Sequence, residues 1–271
     1  MVSSNKRVLV TGGGTFLGDS IASALIAEGA EVTLLVRAGL EDQLGILGQR
    51  ARWATADVWD PASLRGRARG HKTVIHTVGS MIADPTQGLT HHRLNFVSTR
   101  NVATMCVSDG VSHMILMSSV YAPWVSGSYI RSKREAEQYL ARVGVNGSIV
   151  RAPLAYIRGQ KRSLFYLLMT GLGSTPPISW LGFGRIAPMP IDMLSRGVAR
   201  IAVGSERTTK PLYLPSDLRR LNTRDEARGR LPFRAEEGAI NTEDATSSVH
   251  PFDLLDDDTP FGWIPPTDTR K

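Results

Sequence analysis

Hydrophobic positions in the first 150 residues follow two alternating rhythms. Short apolar runs at 6–10 (KRVLV), 31–36 (EVTLLV), 73–77 (TVIHT), 113–117 (HMILM) and 147–150 (GSIV) read as buried strands, and 52–56 reads as a weaker one closed by Asp57. Between them the period lengthens. Leu17, Ile21, Ala24 and Leu25 recur at helical spacing over 17–28, and Gly29 ends that helix. Residues 94–107 and 129–143 carry the same helical period, the second with a polar face rich in Glu and Arg. Strands that alternate with helices predict an α/β chain with a parallel sheet covered on both faces.

The alternation weakens after Pro153. Residues 173–190 are rich in Gly, Pro and Ser and read as loops, and 192–203 reads as a further helix. From 231 onward periodicity is lost, four prolines appear (Pro251, Pro260, Pro265, Pro266), and nine acidic residues fall between Glu236 and Asp268. The expected organisation is one domain over 1–230, with a small lobe from about 153, and an extended acidic tail over 231–271. Phe252, Phe261 and Trp263 in that tail either pack back on the domain or anchor it to a partner.

Composition narrows the class. The 271 residues are 42% hydrophobic, enough for a substantial core. Cys106 is the single cysteine, so no intrachain disulfide is possible and the usage suits a reducing compartment. The apolar stretch 163–172 (SLFYLLMTGL) is far shorter than the ~20 residues of a membrane span and reads as a core segment. Residues 1–7 lead straight into a strand, so no cleavable leader is expected within the chain. The net charge of +7 is uneven: residues 61–170 hold 14 basic and 4 acidic side chains. That excess suits a phosphate-bearing ligand, an anionic lipid surface or an acidic partner. Its cations are not clustered with aromatics, so nucleic acid is not expected. His71, His76, His91, His92, His113 and Cys106 lack metal-ligand spacing, and the Asp256 to Asp258 run lacks the rest of a calcium loop, so no metal site is expected.

Two motifs carry chemistry. The string Thr11-Gly12-Gly13-Gly14-Thr15-Phe16-Leu17-Gly18 lies between the first strand and the first helix. Small residues there let a backbone approach a dinucleotide's pyrophosphate, and the helix start offers free N–H groups. After the second strand stands Arg37, where an acid would favour NAD(H) and a basic group favours NADP(H), so NADP(H) is expected ahead of NAD(H). The second motif is Tyr129-Ile-Arg-Ser-Lys133, which puts Tyr129 and Lys133 one helical turn apart.

These strings resemble the extended and atypical short-chain dehydrogenase/reductases, whose turn runs T-G-x-x-G-[FI]-[LIV]-G and whose helix carries Y-x-x-x-K. Gly12, Gly18, Phe16 and Leu17 match, while Thr15 replaces the middle glycine. The resemblance implies a Rossmann-type doubly wound parallel sheet. It implies an adenine contact at Asp57-Val58, small residues lining the cofactor at Thr77-Val78-Gly79, and braces at Asn95 and Asn101. It makes Tyr129 a proton-transfer residue whose pKa the Lys133 charge lowers. A serine after the fifth strand completes the set, and of Ser118 and Ser119 the latter is chosen. Residues 150–159 resemble the family's R-P-x-x-x-[YF]-G segment with Ala152 inserted, and 190–194 resemble its V-x-D-[VM] element. Tyr129-Ile-Arg-Ser-Lys133 followed by Arg134-Glu-Ala-Glu137, then Ile149-Val-Arg-Ala-Pro153, resembles the atypical branch that contains the nucleotide-binding accessory subunit of mitochondrial respiratory complex I and a related protein of ubiquinone biosynthesis. That branch implies a largely structural NADPH, partners in a larger assembly, and the matrix side of the inner mitochondrial membrane, with a cytoplasmic location as the alternative. The alternative function is an active NADP-dependent oxidoreductase or a sugar-nucleotide epimerase/dehydratase.

Overall fold

In the computed structural model, residues 6–123, 125–157, 186–204 and 209–226 are described. Seven parallel strands form the main sheet: β1 (Arg7–Gly13), β2 (Glu31–Val36), β3 (Arg52–Thr55), β4 (Thr73–His76), β5 (His113–Ser119), β6 (Gly147–Ala152) and β9 (Leu212–Tyr213). Their order is β3-β2-β1-β4-β5-β6-β9, so the strand sequence reverses between β1 and β4. The expected doubly wound parallel sheet is therefore present. A separate two-stranded sheet pairs β7 (Ala155–Tyr156) with β8 (Met189–Pro190).

Alternation along the strands builds two cores. Val8 and Val10 of β1 and Val32 and Leu34 of β2 face α1 (Phe16–Ala27) and α5 (Ile191–Val203), where Leu17, Ile21, Leu25, Leu194 and Val198 are buried. Leu9, Leu35, Val74, Met114 and Leu116 face the other way, onto Val102 and Cys106 of α3 (Ser98–Ser108) and Leu140 of α4 (Gly127–Leu140). Because both faces are covered, the strands read as near-continuous apolar runs.

Several boundaries differ from the expectation. β1 runs on through Thr11 to Gly13 and keeps its pairing with β2, with a register irregularity between Thr11 and Gly13. The glycines permit this: a Cβ on Gly13 would lie 2.9 Å from Val36 Cγ2. β5 continues through Ser118 and Ser119, and β6 through Arg151 to Ala152, because the two stay paired from Met114 and Gly147 to Ser119 and Ala152. The helix expected from 94 begins instead with a π-helical turn, His92–Val97. There the Asn95 amide donates to the carbonyls of Ser80 (2.9 Å) and His91 (3.0 Å). The short α2 (Leu47–Arg50), the seventh strand β9 and α6 (Pro215–Glu226) were not legible as periodic runs. The segment 163–172, the loop residues 173–185 and the tail 231–271 lie outside the described residues. Among the described residues no helix is long and apolar enough to cross a membrane.

Candidate active site at the carboxyl ends of the strands

The carboxyl ends of β1 and β4 flank the point where strand order reverses, the place where open α/β sheets bind ligands. The glycine turn sits there. Gly12 has φ +85°, and a Cβ on it would lie 2.5 Å from Thr77 Oγ1. A Cβ on Gly18 would lie 2.0 Å from the Gly12 carbonyl oxygen, so backbone meets backbone and no side chain fits. Gly14 also has positive φ, +78°. Thr15, in place of the family's middle glycine, adopts an extended conformation that any residue can take, with φ −120° and ψ 151°. Its hydroxyl donates to the Gly12 carbonyl (2.6 Å) and accepts from the Gly18 N–H (3.3 Å), so it caps α1 and closes the turn. The Gly14 N–H donates to Asp19 Oδ1 (2.9 Å). Thr77 ties β4 to this turn: its hydroxyl donates to the Thr11 carbonyl at 2.5 Å.

The flanking loops are braced as expected. Asn95 Oδ1 accepts the Ser80 N–H (3.1 Å), holding the segment that contains Thr77, Val78 and Gly79, all three buried. The Asn101 amide donates to the carbonyls of Val58 (3.1 Å) and Trp59 (3.2 Å). Asp57 Oδ1 accepts the Trp59 N–H (2.8 Å), and Val58 is fully buried. Arg37 stands at the end of β2, half-buried. Burial lowers its guanidinium's pKa, and the Asp57 charge nearby raises it in part.

Tyr129, Lys133 and Ser119 come together beside β4 and β5. Tyr129 is fully buried in the first turn of α4, packed near Ala122 and Val125, with His91 edge-on to its ring at 5.8 Å. Among the described residues its hydroxyl meets no partner at hydrogen-bonding geometry, and the adjoining Ser119 hydroxyl donates to the Val120 carbonyl (3.0 Å). Lys133 Nζ lies 5.9 Å from the Tyr129 ring centroid and donates to the Met117 carbonyl (3.2 Å). It reaches over Gly79, where a Cβ would stand 2.6 Å from Nζ.

One expectation is corrected here. The Tyr129 phenol is raised above its usual range, not lowered, because burial outweighs the opposing Ser119 hydroxyl and Arg134 charge. Burial likewise pushes Lys133 down to about 8, with the Glu137 carboxylate opposing it. Desolvation disfavours the charged form of both side chains and dominates the pair.

Strand geometry separates the two serines. Ser118 and Ser119 point to opposite faces of β5. Ser118 donates to Glu137 Oε1 (2.6 Å), which leaves Ser119 on the side of Tyr129. The sequence reading did not anticipate the polar cluster behind them. Glu137, buried in α4, accepts from Arg134 and from Arg151 (Nη2, 2.6 Å), and Arg134 Nη2 donates to the Ser119 carbonyl (2.9 Å). The spacing Lys133, Arg134, Glu137 on one helix, with Arg151 ending a strand, was the available signal. His76, read as an ordinary structural histidine, also lies at the switch point. Its Nδ1 is 2.9 Å from Thr11 Oγ1, and burial followed by the Lys133 charge lowers its pKa to about 3, so it is neutral at physiological pH.

These residues fit a nicotinamide dinucleotide. The turn admits no side chain at Gly12 or Gly18, the buried Lys133 ammonium has N–H donors beyond the one given to Met117, and the Tyr129 hydroxyl is unsatisfied among the described residues. The chain belongs to the NAD(P)H-binding family, whose model matches residues 12–161, from the glycine turn past the end of β6. Its fold is of the Rossmann type.

Among curated relatives, the human sterol-4-alpha-carboxylate 3-dehydrogenase (decarboxylating) is 30% identical over 114 residues, 42% of this chain and 29% of that protein. An uncharacterised chloroplastic protein of Arabidopsis thaliana is 24% identical over 217 residues, 77% of this chain and 62% of that one. The chain thus spans less than two thirds of the length of either relative. The fold is shared with the dTDP-glucose 4,6-dehydratase DesIV of Streptomyces venezuelae, solved with NAD and TYD bound, at TM-score 0.54 and 19% identity, covering 82% of this chain and 81% of that one.

Proposed function

We propose that the chain is an NADP(H)-preferring oxidoreductase that interconverts a carbonyl and an alcohol. The observation that carries this reading is the convergence of Ser119, Tyr129 and Lys133 beside the glycine turn. The dinucleotide supplies or accepts the hydride when bound. Gly12 to Gly18 and the start of α1 hold its phosphates, and Lys133 donates to its nicotinamide-side ribose. Ser119 orients the substrate oxygen by a hydrogen bond, and the Tyr129 hydroxyl exchanges a proton with that oxygen. The Lys133 charge, the Arg134 guanidinium and the Ser119 hydroxyl favour the phenolate that forms in passing. The preference for NADP(H) rests on Arg37 at the end of β2, where it can meet a 2′-phosphate. The human relative's name supports dehydrogenase chemistry, and a sugar-nucleotide epimerase or dehydratase is the alternative.

A second reading is an accessory subunit that holds the dinucleotide structurally within a larger assembly, as in a mitochondrial respiratory complex. Complete burial of Tyr129 favours it, since desolvation raises the phenol and disfavours the phenolate. The family match and these relatives lend no support to the respiratory-complex assignment itself.

The deciding experiment denatures the natively purified protein, identifies released nucleotide by mass spectrometry, and follows hydride exchange in wild type and Tyr129→Phe. Exchange lost in Tyr129→Phe with nucleotide still bound supports the oxidoreductase. Bound nucleotide with no exchange in either protein supports the structural role. No nucleotide and no affinity for added NADPH or NADH would refute both.

A further inference from the structure

At the opposite end of the sheet, the amino ends of β1 to β4 frame a concave basic surface. A groove of about 450 Å³ is lined by Arg7, Arg50, Arg52, Arg69 and His71, with Glu31 as the acid among its walls. A second hollow of about 420 Å³ adjoins it through Arg7 and His71 and adds Lys6 and Lys72. Glu31 is paired with Arg7 (3.2 Å), and Asp109 reaches Arg69 (3.6 Å). Arg50 and Arg52 have no acidic partner among the described residues. Burial, aided by the Arg7 and Arg52 charges, keeps His71 low, so it adds no charge at neutral pH. Among the described residues Arg50 and Arg52 leave this surface an excess of positive charge inside a concave wall that concentrates its field.

Exposed apolar side chains lie close to these arginines along the chain. Ile46 is 61% exposed and Trp53 is 44% exposed, and both lie on the segment that carries Arg50 and Arg52. A Cβ on Gly48 would stand 3.7 Å from the Trp53 indole nitrogen, so Trp53 lies against α2, the helix that ends at Arg50. β3 is the edge strand among the described residues, so no further described strand of the sheet pairs beside Trp53.

We propose that this face docks the protein on an anionic lipid bilayer, with lipid phosphates in the arginine groove and Trp53 and Ile46 at headgroup level. Cations alone would suit any polyanion. An indole and an isoleucine beside them are wasted on a soluble phosphate or acidic peptide, but match an interface where charged and apolar layers adjoin. Single-stranded nucleic acid calls for a succession of aromatic platforms, and among the described residues this end exposes one. Docking here points the carboxyl ends of the strands, and the dinucleotide site with them, toward water.

The test is flotation of the full chain with phosphatidylcholine vesicles, with and without roughly a third phosphatidylglycerol, at low and high salt. Wild type is expected to bind only the anionic vesicles, and less tightly as salt rises. Each basic residue near such a surface is worth about fivefold in affinity, so Arg50→Glu/Arg52→Glu should lower partitioning by at least about twentyfold while NADPH affinity stays unchanged. Trp53→Ser should weaken binding without changing its salt dependence. Equal binding to neutral vesicles, undiminished binding by the charge-reversed protein, or tighter binding to a single-stranded oligonucleotide than to vesicles would each overturn the proposal. If charge reversal lowers helical content by circular dichroism, Arg50→Gln/Arg52→Gln gives the same comparison with a smaller expected loss.

Discussion

Replacing Glu137 with glutamine would leave two guanidinium groups facing each other across a site that no longer holds an anion. In the native protein the Glu137 side chain is 6% exposed and accepts hydrogen bonds from Ser118, Arg134 and both Nε and Nη2 of Arg151. Glutamine keeps one acceptor oxygen and turns an NH₂ donor toward an arginine donor. Removing one partner of a buried ion pair costs ~3–5 kcal/mol, and with Arg134 26% and Arg151 29% exposed we expect the lower end, about 3 kcal/mol. That is a large share of the 5–15 kcal/mol of a typical domain, so urea unfolding resolves it easily (roughly a third of a mid-range stability).

The pH dependence supplies a second check. Burial alone would raise the Glu137 carboxyl, but hydrogen bonds from Arg151 and Ser118 and the charges of Arg134 and Arg151 hold it below the usual carboxylate range. Its stabilisation is therefore fully present above the unfolded-state value of about 4.3 and is lost as pH falls through the lower folded-state value. The stability gap between wild type and Glu137→Gln should be level from neutral pH to about 5 and close at lower pH. A gap under about 1 kcal/mol at neutral pH, or one unchanged down to about pH 3, would refute the account of this cluster.

Two further outcomes follow. Burial holds Lys133 at about 8, against about 10.4 for a free lysine, so between those values the unfolded chain keeps a proton that the folded one has lost and stability rises with pH. Lys133→Met should abolish that rise and raise stability at neutral pH while weakening dinucleotide binding; equal pH slopes in urea titrations of the two proteins would sink this reading. Arg37→Asp should cost NADPH at least about tenfold more affinity than NADH, because it replaces a cation facing the 2′-phosphate with an anion. Equal losses in a fluorescence titration of the two reduced cofactors would remove Arg37 from the site.

Much of the site is legible in the sequence because its parts are local. The glycine turn needs backbone without side chains at Gly12 and Gly18, and that demand is visible as glycine. Tyr129 and Lys133 share a helix face because four residues make about one turn. What stayed hidden depends on neighbours distant in sequence. Ser118 and Ser119 are chemically equal on paper, and pairing of β5 with β6 sends one toward Glu137 and the other toward Tyr129. Thr15 looks like a defect in the motif until the turn shows it in extended backbone with its hydroxyl capping α1.

The sequence alone determined the alternation of strands and helices, the two-sided burial of the sheet and the place of the dinucleotide turn, because periodicity and glycine record local backbone demands directly. Only the tertiary structure decided the strand order, the recruitment of Leu212–Tyr213 as the seventh strand, and the ionisation of Tyr129 and Lys133. A two-residue strand carries no period of its own. Desolvation depends on everything packed around a group, which no short window of sequence contains.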